Sequence, residues 1–434
     1  MSEKQGQSTG LVWFTKDLRV RDNHSLSKAL SENEKVIAVY FFDPRQFSTT
    51  KYGFKKTEKF RAKFLIETVE NLRKNLEKLN ISLLVFHEKP ELILPEIIQT
   101  HQIKSIYYQR EWTSEEVHVF ENLRKKLPDC NFVETYDQFL FHPEDIPYSD
   151  FSDIPEVFTN FRKKVEANAE VRKCIEKPGI QQENNLVENN TEVPTLKDLG
   201  LKDFEIDSRS AFPFRGGEDA AEARLKQYFW ETKNLKNYKE TRNGMLGADY
   251  SSKFSAWLAN GSLSPRYIYE EVKKFESEIV ENESTYWLIF ELLWRDYFKY
   301  VSLKHGSKIF QLKGISKKDL DWNNDSETFK NWINGKTKEP FINANMNEIA
   351  ATGFMSNRGR QNANSFWAKE LLQDWRKGAA YFESMLIDYD VHSNWGNWIY
   401  NSGVGNDPRD RKFNIKMQVE RYDADGKYQK TWLK

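Results

Sequence analysis

Apolar residues in the first third of the chain come in short runs: LVWF at 11–14, then 36–42, 81–86, 103–108 and a shorter stretch at 131–135. Runs of this length between polar turns read as strands. Helix-period stretches separate them. Phe60, Phe64, Leu65, Val69, Leu72, Leu76 and Leu79 recur at three- and four-residue steps, which predicts an amphipathic helix. Residues 90–101 predict a helix opened by Pro90, and 114–127 one with Ser114 as its N-cap. Alternation of the two patterns predicts a parallel sheet covered on both faces. Residues 1–9 carry no apolar core and are expected to form a tail.

The pattern changes after 141. Five prolines punctuate 142–210, and QQENNLVENNT at 181–191 is poor in apolar residues. This predicts a connector crossing a surface, with one helix near 157–169. From 216 to 412 strand signals nearly vanish. Helices are predicted at 220–232, 252–260, 265–278, 285–305, 327–333, 341–352, 360–377 and 379–387, and the last 20 or so residues are expected to be an irregular tail. The fold class is α/β for 10–140, a connector over 141–210 and an all-helical domain over 211–434. One stretch breaks the helical pattern. LIDYDVHSNWGNWIYNSGVG at 386–405 mixes Asp, Asn and Gly, all poor helix formers, with two Trp. It predicts an irregular loop lining a pocket for a flat ligand with polar edges, or a tight aromatic turn.

Composition narrows the classes. Lys+Arg and Asp+Glu are 65 each, so any nucleic-acid surface has to be a local patch. The two cysteines, Cys130 and Cys174, offer neither a metal pattern nor a disulfide framework, which suits a reducing compartment. No signal-peptide core and no apolar run near about 18 residues is present, so a soluble cytoplasmic protein is expected. Neither G-x-G-x-x-G nor a Walker loop occurs. Aromatic residues reach 14%, more than packing asks for, which leaves stacking, electron transfer or a bulky core as explanations.

Three constellations carry candidate chemistry. Ser251, Ser252 and Ser255 cluster before a predicted helix, a seat for phosphate or an ordinary serine cap. In WLIFELLWRDYFK, helical spacing puts Trp287, Glu291, Trp294 and Arg295 on adjoining faces. Either an ion pair caps an aromatic core there, or a flat-ring cavity has a carboxylate at its edge. NRGRQ at 357–361 puts Arg358 and Arg360 at a helix start, where the dipole disfavours cations, so an anion partner or a solvated turn is expected.

These segments together resemble the photolyase/cryptochrome family nearly end to end. The motifs are WFTKDLRVRDNHSL, FRAKFLIETVENLR, YSSKFSAWLANGSLSPR, ELLWRDYFKY, GKTKEPFINANMNEIAATGFMSNRGR, LLQDWRKGAAYFESMLIDYD and NWGNWIYNSGVGND. Within the family the chain is most similar to DASH-type cryptochromes, through DIPEVFTNFRKKVE, NANMNEI, Gln361 and Tyr400. The resemblance implies an antenna domain joined to a helical domain that holds FAD. Tyr238, Ser251, Ser252, Lys253, Phe254 and Ser255 match the cofactor's phosphate segment. Asp388 and Asp390 match acids near the flavin and ribose, with Arg360 as partner of Asp388. Asn394 matches the residue facing flavin N5, and Trp398, Trp375 and Trp322 match an electron relay. Glu291, Trp294, Asn357 and Tyr400 match the lesion cavity. Glu111 matches the acid that holds a folate (methenyltetrahydrofolate) antenna.

Two departures stand out. Tyr400 replaces a second Trp, and a smaller platform favours strands whose bases unstack cheaply. The phosphate segment reads YSSKFSAW rather than GTSxLSPY, with its hydroxyls kept. The resemblance thus implies a monomeric, light-driven lyase repairing cyclobutane pyrimidine dimers in single-stranded DNA, with RNA as another partner and no membrane. The rival expectation is a photosensory cryptochrome that signals without repair.

Overall fold

The computed structural model describes residues 8–316 and 318–434. Five strands, β1 (Thr9–Trp13), β2 (Lys35–Phe41), β3 (Leu83–Phe86), β4 (Ile103–Gln109) and β5 (Asn131–Thr135), pair in parallel in the order β3-β2-β1-β4-β5. The residues of the expected tail divide: 1–7 lie outside the described residues, and Thr9 already pairs with Lys35 and Ile103. Helices α1 (His24–Glu32), α2 (Lys59–Glu77), α3 (Pro90–His101) and α4 (Ser114–Lys126) cover the sheet. Strand alternation sends Val12, Ala38 and Tyr40 to the face carrying Leu26, Val69 and Leu72, while Leu11, Trp13 and Val39 meet Leu94 and Phe120 on the other. Both faces are therefore buried, which is why the strands read as unbroken apolar runs.

Residues 141–210 carry α5 (Phe158–Asn168) and are tied down by side chains. Asn185 accepts from the Val36 N–H at 2.7 Å and donates to its carbonyl at 3.0 Å. Twelve helices follow: α6 (Glu218–Lys226), α7 (Tyr238–Thr241), α8 (Ser255–Asn260), α9 (Pro265–Glu278), α10 (Glu283–His305), α11 (Ser326–Ile333), α12 (Pro340–Thr352), α13 (Asn357–Ser365), α14 (Trp375–Met385), α15 (Val391–Ser402), α16 (Ile415–Tyr422) and α17 (Lys427–Trp432). The α/β and helical parts meet through buried charge: Arg266 donates to both Asp22 oxygens at 2.8 and 2.9 Å, and Asp296 accepts from the backbone of Leu140 and Phe141. Among the described residues no helix is long and apolar enough to cross a membrane.

Three expectations are corrected. Residues 386–405 are a short turn followed by the regular helix α15, not a loop. Asp390 caps its start by accepting from Ser393 N–H at 2.8 Å, and Gly403 ends it in the left-handed region. Asn397 and Asn401 bond back along the helix, to Ser393 O and Asn397 O, so their side-chain N–H groups find partners within it. Gly396 is there for close approach: a Cβ would overlap the Phe298 ring of α10. The single helix expected over 360–377 is two. After α13 the chain makes a wide turn at Phe366–Glu370, Leu372 takes a φ of 51°, and Asp374 caps α14. The expected irregular tail holds α16 and α17. Burial of Tyr428 and Trp432 orders it, with the Tyr428 hydroxyl donating to Glu348 at 2.6 Å.

Candidate functional site

The turn before α15 brings two carboxylates to one small cavity of about 70 Å³, lined also by Arg360, Asn394, Asn397 and Trp398. Arg360 lies one turn into α13 and holds Asp388 with one nitrogen on both oxygens, at 2.8 and 2.9 Å, while its Nε binds Met355 O. Asp390 faces Lys299 of α10 at 3.1 Å. Burial pushes the Asp390 carboxyl up, but Lys299, His392, Arg295 and the Ser393 N–H outweigh it and hold the group well below the usual carboxylate range. Lys299 is a partner the sequence reading missed. Its helical position one turn beyond Arg295 was the available signal. Asn394 commits its Nδ2 to Ala379 O at 3.0 Å, which leaves Oδ1 as the group able to accept from a ligand N–H.

The segment 250–255 lies nearby, its Lys253 and the Arg360 guanidinium both placed over the Phe354 ring. Arg224 gathers its carbonyls, binding Ser251 O and Ser252 O at 3.1 Å each. None of the hydroxyls of Ser251, Ser252 and Ser255 hydrogen-bonds another group among the described residues. Lys253 takes a φ of 63° and is 3% exposed. Its ammonium lies 3.1 Å from the Tyr250 ring centroid and 4.7 Å from that of Phe354, and it has no hydrogen-bond partner. Burial drives its pKa well below the ordinary value. A buried ammonium without a hydrogen-bond partner, beside three free hydroxyls, is chemistry suited to a phosphate or pyrophosphate. Phe254 and Tyr238 are buried apolar supports.

Further along α10, Glu291 and Trp294 are both partly exposed while Leu292 and Leu293 are buried. Glu291 pairs with Arg242 at 2.7 Å, and burial raises its pKa against that pull. Trp294 meets Tyr400 of α15 edge-on at 5.9 Å. A closer partner, Phe158 of α5, was not foreseen, because residues 158 and 294 are far apart in sequence. Asn357, exposed at the start of α13, lines the same cavity as Arg360.

The three relay candidates share one core cluster. Trp375 and Trp398 are buried and Trp322 is half-buried at its margin. Gly378 of α14 lets the Trp398 ring approach, since a Cβ there would overlap it. Asn323 pairs with the backbone of Leu372 and Asp374, which brings Trp322 beside the start of α14. Trp395 was missed as a neighbour: its ring stands at 5.7 Å from that of Trp375.

A cavity of about 920 Å³ lies between the two parts, over the carboxyl ends of β1 and β4. The strand order reverses there, the place where open parallel sheets take ligands. Glu111, following β4, is on its wall, bound by Gln109 Nε2 at 2.9 Å and facing Lys16 Nζ at 3.5 Å.

Two known domains match along the chain. Residues 10–179 match the DNA photolyase domain and 287–434 the FAD binding domain of DNA photolyase. The chain is 50% identical to the Cryptochrome DASH of Gloeobacter violaceus, over 98% of this chain and 85% of that one. It is 48% identical to that of Synechocystis, over 98% and 87%. A Synechocystis cryptochrome crystal structure superposes with a TM-score of 0.93 at 47% identity, covering 99% of this chain and 89% of that one. A bacterial class III photolyase from Agrobacterium tumefaciens does so at 0.82 and 25% identity, covering 100% and 88%. The unpartnered Lys253 ammonium, the free serine hydroxyls and the Asn394 acceptor fit FAD, and the chain belongs to the photolyase/cryptochrome family, as an FAD-binding member of DASH type.

Proposed function

We propose that the chain repairs cyclobutane pyrimidine dimers in single-stranded DNA under light. The observation that carries this reading is the joint placement of Trp294, Glu291 and Tyr400. An aromatic face and an ionisable carboxyl group stand one helical turn apart, both partly exposed, on a helix that buries Leu292 and Leu293 between them. A base flipped out of a strand needs a stacking surface and a polar group at its edge.

Reduced FAD, when bound and excited by light, would supply the electron that opens the cyclobutane ring. The residues do the rest. Lys253 and the serines hold the phosphates, and Asp388 and Asp390 fix the sugar and ring side. The Asn394 oxygen accepts a ring N–H and so favours the reduced cofactor. Glu291, kept ionised by Arg242 or protonated by burial, hydrogen-bonds the pyrimidine edge, and Trp294 takes its face. Asn357 lies at the cavity rim. Trp398, Trp375 and Trp322 serve a separate task, returning an oxidised cofactor to the reduced state.

The larger cavity, with Glu111 and aromatic walls from Trp13, Tyr40 and Phe120, suits a folate antenna. Its volume is within the roughly 300–1,000 Å³ usual for such ligands. On this reading residues 10–140 are the antenna domain, 141–210 the connector and 211–434 the catalytic domain. The partner is single-stranded nucleic acid, with RNA as a competitor, and the chain acts as a monomer. The second reading is light signalling without repair, supported by the name cryptochrome carried by the relatives.

The deciding experiment illuminates reduced protein with a dimer-bearing oligonucleotide as single strand and as duplex, and follows loss of the lesion. Repair of the single strand well ahead of the duplex is the expected result. A normal flavin spectrum with no repair of either form favours signalling. Equal rates on both forms overturn the single-strand preference.

A further inference from the structure

Trp375 is fully buried, so an electron vacancy that reaches it needs a neighbour through which to leave. Trp322, at the margin of the cluster, is one. A second set of contacts runs the other way. The Trp395 ring stands edge-on to Trp375 with centroids 5.7 Å apart. Its indole N–H donates to the Tyr389 hydroxyl at 3.2 Å. Tyr389 borders both cavities, and Trp395, Tyr389 and Glu383 all line the interdomain one.

We infer that Trp395 and Tyr389 form a branch of the electron relay, carrying the vacancy from Trp375 to the wall of the interdomain cavity, where Glu383 takes the phenolic proton. This rests on the reading of Trp398 and Trp375 as donors to photoexcited oxidised flavin. The charges around Tyr389 define the chemistry. Arg61 sits 4.6 Å over its ring, which opposes positive charge there. Tyr389 therefore loses its proton together with its electron and becomes a neutral radical. Glu383, 9% exposed and flanked by Lys56 and Arg61, is the acceptor. Glu383 and Tyr389 line the same wall of the cavity, and burial raises the affinity of the Glu383 carboxylate for a proton.

The balance closes with an external thiol entering the cavity. The flavin gains one electron, and Trp398, Trp375, Trp395 and Tyr389 pass the vacancy in turn. A thiol gives one electron to the tyrosyl radical, Glu383 returns the proton, and the thiol's own proton goes to solvent. Two thiyl radicals then couple as a disulfide. The cavity proposed for an antenna would thus also be a port for reductant.

The test uses FAD-loaded protein under blue light with excess soluble thiol. Bleaching of the oxidised-flavin band is followed in Trp375→Phe, Trp322→Phe, Trp395→Phe and the Trp322→Phe/Trp395→Phe double variant. Thermal unfolding of each without cofactor controls for folding. A nitroso spin trap, with peptide mapping of its adducts, locates the radical independently of any activity. Trp322→Phe should keep part of the bleaching, and adding Trp395→Phe should bring it down to the level of Trp375→Phe. Adducts in Trp322→Phe should map to Tyr389 and vanish with Tyr389→Phe. Glu383→Gln in the Trp322→Phe background should slow bleaching further. If Trp322→Phe alone already equals Trp375→Phe, or if Tyr389 gains no adduct, the branch is wrong while the main relay stands. Wild-type bleaching in Trp375→Phe overturns the main relay and the branch with it.

Discussion

Phe158 lies flat on Trp294, the ring centroids 3.7 Å apart and the planes 17° from parallel. One face of the Trp is therefore occupied by Phe158, and on the proposed reading a flipped base has only the other. Phe158 acts as backing: it fixes the ring's plane before any ligand arrives. An aromatic pair is worth about 0.5–1.5 kcal/mol beyond its buried area. Phe158→Leu should weaken binding of a dimer-bearing single strand by roughly two- to tenfold at about 1.4 kcal/mol per decade. Titration with labelled oligonucleotides checks this. An equal loss for undamaged strands would give Phe158 a merely structural role.

Tyr400 is held by Arg411, whose Nη2 donates to the phenol oxygen at 2.7 Å while its Nε pairs with Asp407 at 3.2 Å. The platform edge is thus pinned to the loop that follows α15. Tyr400→Trp removes that bond and enlarges the stacking surface. Stacking is worth about 1–3 kcal/mol per base, so the variant should gain on the duplex relative to the single strand. Comparing repair rates on matched substrates measures the ratio. A falling duplex share would show that Arg411, rather than ring size, decides the strand form.

How far the sequence reached is clearest at particular residues. The sheet was legible because β1 and β2 are buried on both faces and write their positions as apolar runs. Motif matching reached Arg360 and Asp388 from opposite ends of a 28-residue gap, and the two are paired. Helix α15 was not legible. Its stability comes from the Asp390 cap, Asn back-bonding and the fit of Gly396 to Phe298, and only the first of these has a local signature. The contact of Phe158 with Trp294 depends on packing between segments far apart in sequence, so no spacing rule could announce it, whereas Lys299, which pairs with Asp390, carried at least the helical spacing from Arg295.

Lys253 gives a prediction with two opposite signs. Without cofactor its ammonium is buried and unpaired, a costly arrangement. Lys253→Met keeps the stem's packing and removes the polar head. The apoprotein should then become more resistant to denaturant, while FAD is retained less well. Bound ligand stabilises by RT ln(1 + [L]/Kd), so the midpoint gained on adding FAD should shrink. Denaturation with and without FAD reads both effects. An apoprotein destabilised to the same degree as the holoprotein would show that the Lys253 head already has a partner without FAD.

Glu348 gives the apoprotein a pH dependence. It is buried on α12, one oxygen accepts from the Tyr428 hydroxyl at 2.6 Å and the other has no partner. Burial pushes its pKa from 4.5 up to about 7, against the pull of Tyr428, Lys253 and Arg360. Between those two values the folded chain keeps the proton and the unfolded chain has released it. The stabilisation is complete below 4.5 and is lost as pH rises through about 7. The slope approaches about 1.4 kcal/mol per pH unit within the window. Asp17 and Asp296, raised by burial to about 7 and about 6, add slopes of the same sign, so the informative quantity is wild type minus variant. Glu348→Gln should flatten the profile and leave the variant more stable than wild type above neutrality. Urea denaturation of the apoprotein at a series of pH values measures it, and parallel profiles would show that Glu348 is ionised throughout.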